Sequence, residues 1–158
     1  MRPDRLALRT RSPAATRALG AALAANLASG DVIALEGPLG SGKTEFVQGL
    51  AQGLEVPEEA AVSSPSFVLA NVYPGRLTLV HLDLYRLEDL PQDLLPDLEE
   101  YLEGPHVTAV EWAERAAALL PMDVLWVRLA VAGEEERDLT FTAHGPRSRK
   151  LLEGLRRR

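Results

Sequence analysis

The 158-residue chain has no cysteine, only two lysines and no apolar run long enough to cross a bilayer. Without cysteine, disulfides and thiol catalysis are excluded, which fits a reducing cytoplasm. The most apolar stretch, from Ala14 to Ala28, contains Arg17 and Asn26 and is too short to span a membrane. No stretch has the pattern of a signal peptide, so we expect a cytoplasmic protein with no membrane partner.

The chain also has no excess of positive charge, and its formal net charge is −6. Broad binding to nucleic acid needs a basic face, so we expect no DNA partner and expect any RNA contact to run through another protein. Of the 17 basic residues, only Lys43 and Lys150 are lysines. Since the surface hardly uses lysine, Lys43 in a glycine-rich stretch points to chemistry.

That stretch, Gly37 to Thr44, fits the phosphate-binding pattern G-x-x-x-x-G-K-[ST] at every constrained position. A predicted buried strand precedes it and a predicted helix follows, so backbone N–H groups and the helix dipole would face a phosphate. Lys43 would reach the β- and γ-phosphates, and Thr44 would offer its hydroxyl to Mg²⁺. The alternative is a glycine-rich turn before a helix. The residues predicted to bind nucleotide here are Gly37, Leu39, Gly40, Ser41, Gly42, Lys43, Thr44 and Glu45.

Strands alternate with helices along the chain and end in an antiparallel pair, which predicts one α/β domain over residues 1–158 with a mixed sheet flanked by helices. The first strand should lie near a sheet edge. Residues 67–73 should form a hairpin with 77–83. The predicted strands are 5–9, 31–36, 67–73, 77–83, 107–112, 124–131 and 137–143. The predicted helices are 13–29 with Gly30 as its stop, a helix reaching about 54 after the phosphate-binding stretch, short helices within 84–103, 113–120, and one from about 146.

Two acids follow apolar strands. Asp83 closes the run 79–82, and Glu111 closes the run 107–110. Ligands of open α/β sheets gather at the carboxyl ends of the strands, so we expect both acids to face the γ-phosphate. Spacing does not decide which acid would bind Mg²⁺ and which would orient the attacking water. For Asp83, the alternative is a helix N-cap or a surface acid.

Other candidates carry two interpretations each. Ser64 and Ser66 lie either in an ordinary capped turn or in a switch-like loop that offers a hydroxyl to the metal or the γ-phosphate. Tyr85 and Arg86 either pack locally or face a partner. His81, like the other two histidines, has no ligand spacing and is expected to be structural or on the surface.

ATP is favoured over GTP because the guanine-recognition pattern Asn-Lys-x-Asp is absent.

The phosphate-binding stretch, Ser64-Pro65-Ser66-Phe67, the segment 81–86 (HLDLYR) and Glu111-Trp112, in this order and spacing, resemble the TsaE (YjeE) family. The resemblance covers roughly Leu19 to Val131. It implies a P-loop NTPase core, with Lys43, Asp83 and Glu111 as catalytic residues and Trp112 beside the nucleotide. It also implies that Thr44 and Glu111 form the Mg²⁺ shell, with Asp83 as a catalytic acid near the γ-phosphate. Ser66 stands where the family has threonine, so the hydroxyl is kept and the methyl is lost.

The resemblance further implies a function. Such proteins are small ATPases needed for the N6-threonylcarbamoyl modification of adenosine 37 in tRNA. They bind a TsaD–TsaB transferase pair and hydrolyse ATP to reset it, and the tRNA contacts mainly the partners. Two alternatives remain open: a small-molecule kinase, which would need an arginine-rich lid and an acceptor pocket, and a nucleotide-gated binding module, which would need only Lys43 and Thr44.

Overall fold

A computed structural model describes residues 2–60, 70–85, 87 and 91–158. Within these residues, the chain forms seven strands, four α-helices and three short 3₁₀ segments. The strands are β1 (Asp4–Thr10), β2 (Val32–Glu36), β3 (Ala70–Tyr73), β4 (Leu79–Asp83), β5 (Val107–Glu111), β6 (Leu125–Val131) and β7 (Arg137–Ala143). The helices are α1 (Pro13–Ala24), α2 (Lys43–Gly53), α3 (Leu95–Glu103) and α4 (Pro146–Arg156), and the 3₁₀ segments are Glu58–Ala60, Gln92–Leu94 and Ala113–Leu119.

All described strands belong to one sheet in the order β1-β7-β6-β2-β5-β4-β3. The central strands β6, β2, β5 and β4 pair in parallel. The strands toward the two edges pair antiparallel, as β6–β7–β1 on one side and β4–β3 on the other. The predicted mixed α/β sheet is therefore confirmed, and so are the edge position of β1 and the terminal hairpin. The predicted pairing of 67–73 with 77–83 is confirmed for β3 and β4, whereas residues 67–69 lie outside the described residues. The carboxyl ends of β2, β4 and β5 meet at one edge of the sheet.

Each face of the sheet carries its own apolar core. One core is built around Leu23, Phe46, Leu50 and Phe141 and receives α1, α2 and α4. The other is built around Leu82, Leu98 and Val110 and receives α3 and the segment 113–119. Because the central strands are covered on both faces, they read in the sequence as continuous apolar runs rather than alternating ones.

Helix α2 is held against α1 by a close backbone approach. A side chain at Gly49 would place its Cβ 2.0 Å from the carbonyl oxygen of Arg17, so only glycine fits there. An ion pair of 2.5 Å between Arg17 and Glu45 also joins the two helices. This contact fixes where the first turn of α2 begins, and the phosphate-binding loop ends at that turn.

Two predicted helices differ from the structure. Helix α1 ends at Ala24 instead of about Ser29, although Gly30 does take the left-handed conformation with φ 97°. The residues after Ala24 are held outside the helix by one local and one long-range contact. Asp31 accepts the N–H of Ala28 at 2.8 Å, and Arg147 donates to the carbonyl of Asn26 at 2.6 Å.

The segment predicted as a helix over 113–120 is 3₁₀ over Ala113–Leu119 and is kinked at Ala116, where φ is −127°. It follows a left-handed residue, Trp112, and has no side-chain cap, so no regular first turn is set up. None of the described helices is long and apolar enough to cross a membrane.

Candidate nucleotide-binding site

The phosphate-binding loop is shaped by glycines in conformations that other residues avoid. Gly37, Gly40 and Gly42 have φ values of 147°, 79° and 101°. At Gly37, an added Cβ would lie 2.4 Å from the carbonyl oxygen of Leu129 on β6. The loop thus needs glycine at Gly37 both for its backbone angles and for its contact with the neighbouring strand.

The loop leads directly into the N-terminus of α2. The N-cap residue, Gly42, offers no side-chain cap to the first turn of the helix. The hydroxyl oxygen of Ser41 is also buried and has no hydrogen-bond partner among the described residues. The positive end of a helix dipole without a side-chain cap, next to a buried hydroxyl, fits a bound phosphate.

Lys43 lies beneath the loop and is only 5% exposed. Its ammonium donates to the carbonyl oxygens of Gly37 and Pro38, the latter at 3.1 Å, and sits 4.1 Å from the centre of the Trp112 ring. Burial lowers the pKa of Lys43, while nearby carboxylates, first among them Glu111, act in the opposite direction. The loop and the ring therefore hold the ammonium at the base of the cavity.

The two acids that end apolar strands are neighbours in the sheet. Asp83 of β4 pairs in register with Glu111 of β5. The hydroxyl of Thr44 lies 3.2 Å from both carboxylate oxygens of Glu111. A loop hydroxyl and two strand-end acids are thus brought close together. Thr44 and Glu111 are 67 residues apart in the sequence.

Asp83 is less enclosed than Glu111. One of its oxygens accepts the N–H of Tyr85 at 2.9 Å. Burial raises the pKa of Asp83, and the charge of Glu111 raises it further, whereas the hydrogen bond from Tyr85 acts to lower it. Two carboxylates this close favour a cation between them.

His81 was expected to be structural or on the surface, but it contacts one of these acids. Its Nε2 lies 2.5 Å from Oε2 of Glu111, and the ring is fully buried. The sequence does contain a signal for this contact. Residues two apart on a strand share a face, so His81 lies on the same face as Asp83, and the parallel register brings Glu111 to that face as well.

Arg137 of β7 is a second residue that the sequence analysis missed. Its guanidinium donates to the carbonyl of Gly40 in the loop at 3.0 Å and to the carbonyls of Gly133 and Glu136 at 3.0 and 2.9 Å. It thereby joins the tip of the phosphate-binding loop to the turn between β6 and β7.

These groups surround a cavity of about 540 Å³. That volume lies within the range of about 300–1,000 Å³ typical of ligand pockets. Its lining residues are Pro13, Leu39, Gly40, Ser41, Gly42, Lys43, Thr44, Glu45, Asp83, Tyr85, Glu111, Trp112 and Arg137.

The structure therefore brings together most residues predicted to form the site. Gly37 does not line the cavity and instead packs against β6. Tyr85 stacks on Trp112 with ring centres 5.1 Å apart at the cavity wall. Ser64, Ser66 and Arg86 lie outside the described residues.

The oxygen ligands in the cavity fit Mg²⁺. Among the described residues, no group of three or more His, Cys, Asp or Glu side chains could hold a metal by itself. Mg²⁺ in nucleotide sites is bound by one or two carboxylates together with substrate phosphates and water. The hydroxyl of Thr44 and the carboxylates of Glu111 and Asp83 match that requirement without a full protein cage.

Comparison with known proteins shows which family the chain is similar to. The family model described as "Threonylcarbamoyl adenosine biosynthesis protein TsaE" matches residues 10–139. The "tRNA threonylcarbamoyladenosine biosynthesis protein TsaE" of Bacillus subtilis (strain 168) is 43% identical over 150 residues, covering 94% of this chain and 92% of that protein. The protein of the same description from Nostoc sp. is 50% identical over 130 residues, covering 78% of this chain and 77% of that protein. A solved structure described as "Crystal structure of Bacillus subtilus YdiB" superposes with a TM-score of 0.82 at 37% identity, covering 99% of this chain and 97% of that one.

Proposed function

The chain belongs to the TsaE family, and from this membership and its cavity we propose a Mg²⁺-dependent ATPase that supports N6-threonylcarbamoyladenosine formation at position 37 of tRNA. In this proposal residues 1–158 form one P-loop ATPase domain that works in the cytoplasm. Its cofactors are ATP or ADP and Mg²⁺.

One observation carries the ATPase assignment: the hydroxyl of Thr44 lies 3.2 Å from both carboxylate oxygens of Glu111. The residue after the loop lysine supplies a metal ligand in P-loop NTPases, and a strand-end acid supplies the second. A module that only bound nucleotide would need the loop and Lys43, whereas turnover needs an acid at this position.

Each residue then has a task. The loop N–H groups and Lys43 bind the phosphates and offset their charge. Thr44 and Glu111 would hold Mg²⁺, which would supply positive charge to offset the negative charge that develops on the phosphates. Asp83 lies beside Glu111 with one oxygen held by the N–H of Tyr85, and we assign it to orienting the attacking water.

The partner in this proposal is a TsaD–TsaB-type transferase pair, as the family resemblance implies. The net charge of −6 supports contact with tRNA mainly through these partners rather than directly. Leu39 and Tyr85 are 66% and 42% exposed at the rim of the cavity. Apolar side chains at the rim would let a bound partner sense the nucleotide, and Tyr85 with its neighbour Arg86 is the predicted contact.

The decisive experiment measures steady-state ATP hydrolysis with Mg²⁺, first alone and then with a purified TsaD–TsaB pair and tRNA. We expect weak hydrolysis alone and a clear rise with the pair. The variants Glu111→Gln and Asp83→Asn should lower turnover by about 100-fold, as the loss of a water-activating or charge-stabilising group does. Nucleotide binding should change far less. Asp97→Asn, an exposed acid on α3, is the matched control and should behave as wild type.

Other results would redirect the assignment. If the pair leaves the rate unchanged, the proposed role in tRNA modification is wrong. Phosphate transfer to an added small-molecule acceptor would indicate a kinase. Full nucleotide binding with no turnover under any condition would indicate a nucleotide-gated binding module.

A further inference from the structure

His81 is a fully buried polar side chain for which the proposed mechanism has no use so far. Its Nε2 lies 2.5 Å from Oε2 of Glu111, and the Glu111 side chain is itself only 4% exposed. Both side chains are buried, and Glu111 also lines the cavity. A buried polar pair of this kind is costly unless each member is hydrogen-bonded.

The tautomer of the neutral ring follows from its surroundings. The other ring nitrogen, Nδ1, is buried and has no hydrogen-bond partner among the described residues. A proton on Nδ1 would leave an unsatisfied buried N–H, whereas a proton on Nε2 points at a carboxylate. The geometry therefore favours the tautomer with its proton on Nε2, so that His81 donates to Glu111.

This hydrogen bond restricts the Glu111 carboxylate in a way that Thr44 does not. The hydroxyl of Thr44 has one proton and lies equally far, 3.2 Å, from both carboxylate oxygens, so it does not distinguish between them. His81 contacts only Oε2. With Oε2 held by a residue of the neighbouring strand, the whole carboxylate has a fixed orientation beside the hydroxyl of Thr44.

We propose that His81 is a positioning residue, whose Nε2–H holds Oε2 of Glu111 and so fixes the orientation in which this carboxylate would bind Mg²⁺ beside Thr44. The proposal rests on the proposed function, since Glu111 must bind the metal for its orientation to matter. Removing a residue that hydrogen-bonds to a metal ligand typically lowers metal affinity or activity by about 10–100-fold.

Two polar variants of similar size separate this role from general stability. In His81→Gln the amide nitrogen reaches about as far as Nε2, whereas in His81→Asn it reaches only about as far as Nδ1 and misses Glu111. Leu79→Ala controls for lost packing, because Leu79 lies on the same strand, is fully buried and is two residues from His81.

The first measurement is the Mg²⁺ dependence of hydrolysis and of fluorescent-ADP binding. For His81→Asn we expect the Mg²⁺ concentration at half-maximal rate to rise about tenfold, with nucleotide affinity in EDTA unchanged. His81→Gln should stay close to wild type, and Leu79→Ala should lose stability without changing the Mg²⁺ requirement. Equal Mg²⁺ requirements in the asparagine and glutamine variants would overturn the proposal.

A second measurement needs neither activity nor nucleotide. Only three histidines are present, so ¹⁵N-histidine NMR can identify His81 by the signal that disappears in His81→Gln. We expect a proton on Nε2 that resonates far downfield, exchanges slowly and moves in Glu111→Gln. A proton on Nδ1, or a signal indifferent to Glu111→Gln, would disprove the contact even if His81→Asn fails to fold.

The two proposals fail differently. If Glu111→Gln raises the Mg²⁺ requirement and His81→Asn does not, only the role of His81 is wrong. If Glu111→Gln leaves the Mg²⁺ requirement unchanged, Glu111 does not bind the metal, and both the metal assignment and the role of His81 fall.

Discussion

Two walls of one cavity are built by different means. The loop wall, residues 37–44, is set by the backbone: three left-handed glycines and a close approach to β6 decide its shape. The acid wall, residues 81–83 of β4 together with Glu111 of β5, is set by buried polar side chains in register. The shape of the loop wall should therefore be disrupted by an added Cβ. The acid wall should be disrupted by the removal of a hydrogen-bond donor or acceptor.

The largest effect is expected from adding a single methyl group to the loop wall. In Gly37→Ala the new Cβ would lie 2.4 Å from the carbonyl oxygen of Leu129, at a φ of 147° that alanine rarely adopts. Overpacking and backbone strain together should lower the free energy of unfolding by about 2–5 kcal/mol. Nucleotide binding should be lost, as measured by fluorescent-ADP titration beside a urea unfolding curve.

Gly40→Ala is the matched control within the same loop. Its φ is 79°, but an added Cβ would meet nothing within 4 Å, so only the backbone cost of about 1 kcal/mol remains. If both alanine variants lose the same amount of stability, the contact with β6 does not shape the loop, and the distinction between the walls weakens.

The next largest effect should come from Lys43→Ala, where the two walls meet. The Lys43 ammonium is held by loop carbonyls on one side and by the Trp112 ring on the other. Loss of its charge-assisted contacts to phosphate, at about 1.5–3 kcal/mol each, should weaken ATP binding by about 100-fold or more. The control is Lys150→Ala, which removes the only other lysine, an exposed one on α4. Equal affinities for the two variants in a nucleotide titration would contradict the phosphate-binding assignment.

A smaller effect is expected at Arg137, which holds the tip of the loop wall. Arg137→Ala removes the donor to the carbonyl of Gly40, a net loss of about 1 kcal/mol for one hydrogen bond. ATP affinity should fall by about fivefold, with the rate at saturating ATP unchanged. Arg128→Ala on the neighbouring strand, where the side chain is 74% exposed, should have no effect. A fall in the saturated rate instead would place Arg137 at the reacting phosphate.

The loop wall could be predicted from the sequence because its information is local. Eight consecutive residues specify the turn, the helix start and Lys43, and the apolar runs before Asp83 and Glu111 mark the strand ends. The mixed sheet followed from the same runs, since buried parallel strands and a terminal hairpin have different patterns.

The features that were missed depend on residues far apart in the sequence. His81 meets Glu111 across 30 residues, and Arg137 reaches Gly40 across 97. Such contacts require the strand order and register, which periodicity does not give. The early end of α1 has the same origin, because Arg147 reaches Asn26 from 121 residues away.

The smallest effect on the site should come from Asp123, and it supplies the baseline for stability alone. Its carboxylate caps α4 from outside the helix, accepting the N–H groups of Arg147 and Ser148 at 2.8 and 2.9 Å and the Ser148 hydroxyl at 2.6 Å. Asp123→Ala should lower the free energy of unfolding by about 1–2 kcal/mol, the usual cost of a lost cap. Nucleotide affinity should stay at the wild-type value, which would show that lost stability alone does not mimic damage to either wall.

The dependence on pH checks that the Asp123 charge is responsible. Burial acts to raise the pKa of Asp123, but the hydrogen bonds from Ser148 and Arg147 outweigh it and hold the pKa below the ordinary aspartate value. A lowered pKa in the folded state means that the stabilisation is complete above the unfolded-state pKa and is lost as the pH falls through the folded-state pKa. The stability difference between wild type and Asp123→Ala should therefore be constant near neutral pH and shrink in acid, as measured by urea unfolding at a series of pH values. A difference that persists unchanged at the lowest pH would mean that the side chain stabilises α4 by packing and not by its charge.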